Sequence, residues 1–389
     1  MKGDSRIDSL ASKCVNCGSC LAVCPIFKAR TKEYLSPRGK VYVLQRLKDL
    51  SLEKEPELMD EFTKSLFDCT LCGYCDEVCK SDVSLIDLFK KERKKAIERQ
   101  LYPSLSKLID SVKSSGNIYR MDNEERLDLW FDDLGEEFPD LSNKIYRDGK
   151  KASTGIFLGC VLSFRSGQLN IIRSILTILE TIGEDYLLFG GEEFCCGHPL
   201  HLTGDVDQAE AVRNHNRTIF KDAGISKLVT NCPGCLVSFR EHYNFDNIEI
   251  QHFSQFLQER WRDIEPFIDN RVISGISGEN TGKKLVYHDP CELSRICGVR
   301  TEPREVLGKV ARYHELEALC CGGGGLLRVT ADDLASEVAK NRLIDTGGQD
   351  IVTCCPSCHE QFRSKGVRTI DIVELVAAAM KKDNKLQEM

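Results

Sequence analysis

No run of apolar residues in this sequence approaches the roughly 20 needed to span a bilayer as a helix. The N-terminal residues are polar and lack the apolar core of an export signal. Basic charge is not in excess: 53 Lys and Arg stand against 60 Asp and Glu, a formal net charge of −7. Together with a pI near 5.8, that balance argues against a nucleic-acid-binding surface. No Gly-x-Gly-x-x-Gly turn is present, so a flavin or nicotinamide would have to come with another subunit. These absences lead to the expectation of a cytoplasmic chain without nucleic acid as a ligand. Any contact with a membrane would be made through a partner.

What is present in excess is cysteine, at 20 residues. With no export signal, short-spaced clusters point to metal or redox chemistry and away from a framework of ten disulfides. Eight cysteines precede residue 80, and five fall in each of two later repeats, leaving Cys297 and Cys354. In the first repeat they are Cys160, Cys195-Cys196-Gly197 and Cys232-Pro-Gly-Cys235. In the second they are Cys291, Cys320-Cys321-Gly322 and Cys355-Pro-Ser-Cys358. The offset between copies drifts from 131 to 125 to 123, so the length changes sit in connections while the cysteine loops are kept. Cys354 occupies the position of Asn231.

The N-terminal run Cys14-x2-Cys17-x2-Cys20-x3-Cys24-Pro25 is that of bacterial two-cluster ferredoxins, and Cys69, Cys72, Cys75 and Cys79 repeat it with Lys80 in place of proline. In such runs the fourth cysteine serves the other cluster. The expected sets are Cys14, Cys17, Cys20 and Cys79 for one [4Fe-4S] cubane, and Cys69, Cys72, Cys75 and Cys24 for the other. Structural zinc, which favours separated Cys-x2-Cys pairs, fits poorly. The 44 residues between Cys24 and Cys69 read as a turn at 36–39, a helix over 40–50 and another from Pro56 through Phe67. This predicts an all-helical two-cluster ferredoxin domain over residues 1–100. Its last stretch, 86–100, is rich in Lys and Arg, Arg93 among them, and reads as a solvated helix face or a dock for an acidic partner. Residues 101–152 read as an acidic connector without chemistry, pinned to a domain by Trp130 and Phe131.

From Thr154 the texture is alternating strand and helix. Strands are expected at 155–158, 186–189, 227–230, 284–288, 313–317 and 350–353. Helices are expected at 168–182, 206–222, after Cys235 to about 243, 331–345 and 357–364. Such alternation implies parallel α/β units, bounded here as 153–275 and 283–385, with every cysteine group just after a strand, at the edge where open α/β sheets bind ligands. The predicted class is therefore α+β multidomain: a helical ferredoxin domain followed by two repeated α/β cysteine-rich units. Five thiolates per unit exceed what one zinc or one cubane needs. Adjacent cysteines chelate a single metal poorly, but can each hold a different iron of a larger cluster. A vicinal redox disulfide is the other reading of Cys195-Cys196 and Cys320-Cys321. Gly197 and Gly322–Gly325 let backbone N–H groups approach cluster sulfur. His198, His201, His288 and His359 lie beside these loops, either bonded to the metal ligands or simply packed. Arg165 and Arg295 follow the first cysteine of each copy, and either meet an anionic substrate or pair with carboxylates.

His288-Asp289-Pro290-Cys291, the run Cys320–Gly325 and Cys355–Cys358 resemble the cysteine-rich domain of heterodisulfide reductases and their relatives. Two such domains behind a helical two-cubane domain look like the D-type catalytic subunit, equivalent to the C and B subunits joined. The resemblance implies two non-cubane [4Fe–4S] clusters. One would be held by Cys160, Cys195, Cys196, Cys232 and Cys235, the other by Cys291, Cys320, Cys321, Cys355 and Cys358. It implies reduction of the coenzyme M–coenzyme B disulfide, a step of methanogenesis, with electrons from a flavoprotein or a membrane cytochrome b. The same domains, with Ser36–Lys40, also resemble the iron–sulfur subunits of glycolate, lactate and glycerol-3-phosphate dehydrogenases, which carry electrons from a flavin subunit.

Overall fold

The computed structural model describes residues 10–47, 56–100, 105–147, 149–269 and 285–380. Up to Glu98 the described residues are helical: Ser19–Val23, Pro25–Arg30, Pro37–Leu47, Pro56–Phe67, Tyr74–Glu77 and Leu85–Glu98, with one 3₁₀ turn at Glu33–Leu35. The stretch 36–39 does not turn; it opens a helix. Ser36 Oγ accepts the Gly39 N–H at 2.9 Å, and Pro37 takes the first helical position, where a missing N–H costs nothing. Residues 48–50, expected at the end of that helix, lie outside the described ones. Phe62, Leu66 and Phe67 are buried with Leu88 and Phe89, joining the helices Pro56–Phe67 and Leu85–Glu98.

The basic helix 85–98 is a docked element and not a solvated face. Arg93 is fully buried. Its guanidinium donates to the carbonyls of Leu66 (2.9 Å), Cys69 (2.8 Å), Leu202 (3.3 Å) and Gly325 (3.0 Å), which belong to the helical domain and to both later units. The charge pattern alone hid this, because a lysine- and arginine-rich helix looks the same whether one cation is turned inward or none. Lys95 pairs with the buried Glu92, and Lys94 with Glu98 at the surface.

The two later units each hold a four-stranded, wholly parallel sheet. Strands β1 (Thr154–Phe157), β2 (Tyr186–Leu188), β3 (Lys227–Thr230) and β4 (Glu249–His252) run in the order β2-β1-β3-β4. Strands β5 (Leu285–Tyr287), β6 (Tyr313–Glu315), β7 (Asp350–Thr353) and β8 (Thr369–Asp371) repeat it as β6-β5-β7-β8. Six strands fall within a residue or two of expectation. β4 and β8 were not foreseen: Glu249–His252 and Thr369–Asp371 are short and polar, and only the neighbouring strand tells them from loop. The helices Leu169–Thr181, Val206–Asp222, Pro233–His242, Asp332–Ile344 and Pro356–Arg363 match the reading. Bounds 275, 283 and 385 lie outside the described residues. The connector folds into the helices Ser106–Ser115 and Glu125–Gly135, and Trp130 enters the largest core while Phe131 packs at its margin.

The units join through a pseudo-twofold seam. Leu169–Thr181 of the first packs on Ile372–Ala379 of the second, and Phe253–Glu259 of the first on Thr301–Val310 of the second. Each pair exchanges equivalent elements, as in an isologous dimer interface. Residues from both units, including Ile171, Ile175, Phe256, Val306 and Val376, form one continuous core. On the seam Asn231 donates to Asp371 at 3.1 Å, and Asp371 also caps its own helix through the Val373 N–H. Burial pushes the Asp371 carboxyl up to about 8. The folded chain therefore holds a proton that the unfolded chain releases near pH 4, and stability falls as pH rises from there toward 8. Asp371→Asn should flatten this dependence, recovering on the order of a few kcal/mol at pH 8 relative to pH 5. Anaerobic denaturation of both proteins across pH 5–8 checks it; parallel pH profiles would contradict the assignment.

Candidate metal centres

Every cysteine group of the two units follows the carboxyl end of a strand, so the parallel sheets gather five thiols at one edge each. In the first unit Gly159 turns the chain after β1 with φ +77°, and a Cβ there would lie 3.1 Å from Cys235 Sγ. Glycine is what lets the thiol approach. Gly197, at φ +87°, aims its N–H at Cys195 Sγ, 3.5 Å away. Cys232 stands just before the helix Pro233–His242, with Pro233 first and Cys235 in the opening turn. The thiols form a hydrogen-bonded chain running Cys160, Cys195, Cys196, Cys235, Cys232.

The second unit repeats this. Cys291 and Cys320 sulfurs are 3.9 Å apart, and those of Cys321 and Cys358 are 3.3 Å apart. These spacings suit separate ligands; a disulfide needs about 2.05 Å. Backbone N–H groups point at sulfur here too: Gly322 at Cys320 (3.4 Å), Gly323 at Cys321 (3.3 Å) and Cys358 at Cys355 (3.5 Å). In each site the second cysteine of the adjacent pair is the favoured thiolate. Hydrogen bonds from Cys195 and Cys235 pull Cys196 down to about 6, and those from Cys320 and Cys358 lower Cys321. Their partners Cys235 and Cys358 are pushed up by the same bonds. Ten sulfurs, nine of them on buried cysteines and Cys232 half-buried, with amide donors behind them, are a donor set that fits iron–sulfur clusters.

In the helical domain Cys14, Cys17, Cys20 and Cys79 line one small cavity with Arg38. Cys24 lies with Cys69 and Cys72, and Cys75 with all three. Burial pushes Cys20 and Cys24 up to about 11. Cys72 meets Cys320, so the second thiol group of the helical domain touches the second sheet's site directly. Gly325, at φ +64°, explains how the loop comes so close: a Cβ there would overlap the backbone of Cys69 and Thr70.

The two sites differ in what walls them. The first is covered by the connector, which sequence reasoning left without chemistry. Arg126 is buried there, donating to Glu193 Oε1 (2.8 Å), Ser163 Oγ (3.1 Å) and Cys160 Sγ (3.5 Å). Glu193, which burial raises to about 7, accepts the N–H groups of Leu158 and Gly159 and so shapes the turn carrying Cys160. The available signal was an asymmetry: Ala318 stands in the second copy where the first has Glu193. The second site is walled by the ferredoxin loop. Arg295 donates to the Cys72 carbonyl (2.7 Å) and to the Ala318 carbonyl (2.6 Å), so its hydrogen-bond partners among the described residues are backbone carbonyls and not the carboxylate that was one of its two expected partners. Arg165 does pair with a carboxylate, Glu360, at 3.2 Å across the seam.

The histidines divide. His198 Nε2 lies 2.9 Å from Glu292 Oε1, linking the residue after the first site's Cys-Cys-Gly to the residue after Cys291. His201 stacks on His242. His359 is 3.7 Å from Glu374. His288 is buried beside Cys321 and Cys358. The two cysteines outside the sets stay outside. Cys354 is fully buried with its sulfur 3.4 Å from the Tyr287 hydroxyl, and Cys297 is half-buried.

Helical dicluster domain, paired sheets and edge cysteines define an iron–sulfur electron-transfer protein. Residues 10–83 match the 4Fe-4S dicluster domain, and 154–240 and 285–363 match the cysteine-rich (CCG) domain. The chain belongs to the family of iron–sulfur oxidoreductase subunits that join these domains. It is 27% identical to the D-type subunit of the dihydromethanophenazine:CoB–CoM heterodisulfide reductase of Methanosarcina acetivorans, over 94% of this chain and 93% of that one. It is 26% identical to the B-type subunit of the fumarate reductase (CoM/CoB) of Methanothermobacter marburgensis, over 95% and 72%. A probable glycolate oxidase iron–sulfur subunit of Bacillus subtilis is 21% identical over 94% and 93%. Among the described residues no helix is long and apolar enough to cross a membrane.

Arg126→Met should strand the buried Glu193 carboxyl and cost about 3–5 kcal/mol, much of it recovered when Glu193→Gln is added. Anaerobic denaturant melts of the single and double variants give the coupling. Gly325→Ala should lift the 69–74 loop from the second site, raising amide exchange there. Gly324→Ala, whose Cβ would sit 3.5 Å from the Thr70 carbonyl oxygen, should leave exchange unchanged.

Proposed function

We propose that this chain is the catalytic iron–sulfur subunit of a reductase for a small disulfide, with the coenzyme M–coenzyme B heterodisulfide as its substrate. In this reading two cubanes are held by Cys14, Cys17, Cys20 and Cys79 and by Cys69, Cys72, Cys75 and Cys24. Two non-cubane [4Fe–4S] clusters are held by Cys160, Cys195, Cys196, Cys232 and Cys235 and by Cys291, Cys320, Cys321, Cys355 and Cys358. The single observation that carries it is the pair of complete five-thiol sites flanking one pseudo-twofold seam, where Gly234 of the first site abuts Glu292 beside the second. Cleaving a disulfide takes two electrons and two protons and yields two thiols. Two facing centres supply the electrons without leaving a thiyl radical behind.

The chain's own residues set the order of transfer. Cys72 against Cys320 makes the second site the point of entry from the helical domain. Arg295 clamps that approach, and Gly325 keeps it short. Arg126 compensates the charge of Cys160 at the site farther along the path. The relatives named above are subunits, which supports a redox partner here, a flavoprotein or a membrane cytochrome b. The chain then works in the cytoplasm, reaching a membrane through that partner.

A second reading is an electron-carrying subunit of an FAD-linked 2-hydroxyacid or glycerol-3-phosphate dehydrogenase, favoured by the full-length similarity to a glycolate oxidase iron–sulfur subunit. The test separates them. Anaerobic protein should hold about sixteen irons, four for each of four clusters, and little zinc. With a reduced viologen dye it should reduce the coenzyme M–coenzyme B disulfide. Cys196→Ser and Cys321→Ser should each abolish this while the helical domain still accepts electrons. Iron-loaded protein that ignores the disulfide, yet passes electrons from a flavoprotein to a quinone analogue, would establish the second reading.

A further inference from the structure

The two copies are matched so closely that their differences stand out, and one lies inside a metal site. Phe157 ends β1 three residues before Cys160, and His288 follows β5 three residues before Cys291. The Phe157 ring packs edge-on against Phe239 with centroids 4.8 Å apart at 87°. The His288 ring packs edge-on against Phe362, 4.8 Å apart at 84°. The pseudo-symmetric partners have kept position, tilt and packing, and one phenyl ring has become an imidazole.

An imidazole in a phenyl slot buries two polar nitrogens. His288 is 1% exposed, and neither Nδ1 nor Nε2 has a hydrogen-bond partner among the described residues. Leaving a buried donor unmade costs about 1–3 kcal/mol, so such a group should have a partner when the site is complete. A His288 ring nitrogen and the sulfurs of Cys321 and Cys358 all lie within 4.8 Å of one another. An imidazole carries at least one N–H whatever its charge, so the ring has a donor to offer those sulfurs. Five thiols already complete this site in the same way as the first, whose phenyl ring adds no ligand.

We propose that His288 is a positioning residue that donates an N–H hydrogen bond to the sulfur of the second centre, at or beside Cys321 and Cys358, and thereby makes the second centre easier to reduce than the first. A hydrogen bond to a ligating or bridging sulfur stabilises the more negative, reduced state and raises the potential. Phe157 offers no donor, so the first centre lacks this bias. The consequence suits the layout. Electrons entering through Cys72 meet the better acceptor first, so the first electron rests at the second centre even though the scaffold is nearly symmetric.

The inference rests on the proposed clusters, so iron content is measured alongside it. Wild type, His288→Phe, His288→Gln and Phe157→His are titrated reductively and followed by electron paramagnetic resonance. The second centre's signal is assigned by its change in Cys321→Ser. His288→Phe should lower the reduced-to-oxidised ratio of that centre about tenfold at fixed poise, ~59 mV for one electron. His288→Gln should restore part of it. Phe157→His should raise the first centre's ratio, an arm that does not depend on His288→Phe folding. Histidine labelled with ¹⁵N should show weak coupling to the second centre in wild type, lost in His288→Phe. Unchanged ratios in iron-replete variants overturn the proposal, as does a coupling strong enough for direct ligation to iron. Wild type lacking iron in the second unit would instead overturn the cluster reading, and this inference with it.

Discussion

One buried guanidinium holds the assembly in register. Arg93 reaches from the last ferredoxin helix to four backbone carbonyls, and these lie in the helical domain, beside the first site at Leu202 and beside the second at Gly325. A buried cation is tolerated only when its donors are satisfied, and arginine's planar fork can satisfy several at once. Because the carbonyls of Cys69 and Gly325 meet the same side chain, the helical domain's thiol loop and the second sheet's glycine loop come together. The contact of Cys72 with Cys320 follows from that.

The rest of the architecture is a near-symmetric pair, made unequal at its ends. Both sheets use the same strand order, and both bring thiols to the carboxyl edge. Both aim glycine N–H groups at sulfur. The helices exchange equivalently across the seam. Against this, the first site is closed by the connector through Arg126 and Glu193, and the second by the ferredoxin loop through Arg295. Duplication supplies two centres in fixed relation. Divergence of the walls then decides which one faces the thiol loop of the helical domain.

Chemistry was the most legible part of the chain. Cysteine spacing alone separates an eight-thiol helical domain from two five-thiol units, because ligation fixes how many residues may stand between donors. Strand–helix alternation places the cysteine groups at sheet edges, since a parallel crossover must return every loop to the same end. Ser36–Gly39 misled, because serine followed by proline is equally the start of a helix, and which it becomes depends on the packing behind it. β4 and β8 were missed because a short polar strand is defined by its neighbour's hydrogen bonds.

The sequence by itself determined the number of thiol sets, their order and the parallel sheets that present them. Each of these is written in local spacing, and local spacing survives any rearrangement of distant parts. Tertiary structure alone decided which residues face the sets. Arg126 crosses from a connector that carries no motif, Arg93 turns inward from a helix that reads as exposed, and His198 meets Glu292 over 94 positions of sequence. Such contacts join residues far apart in the chain, and their energy comes from burial and matched donors. Neither leaves a period in the sequence to read.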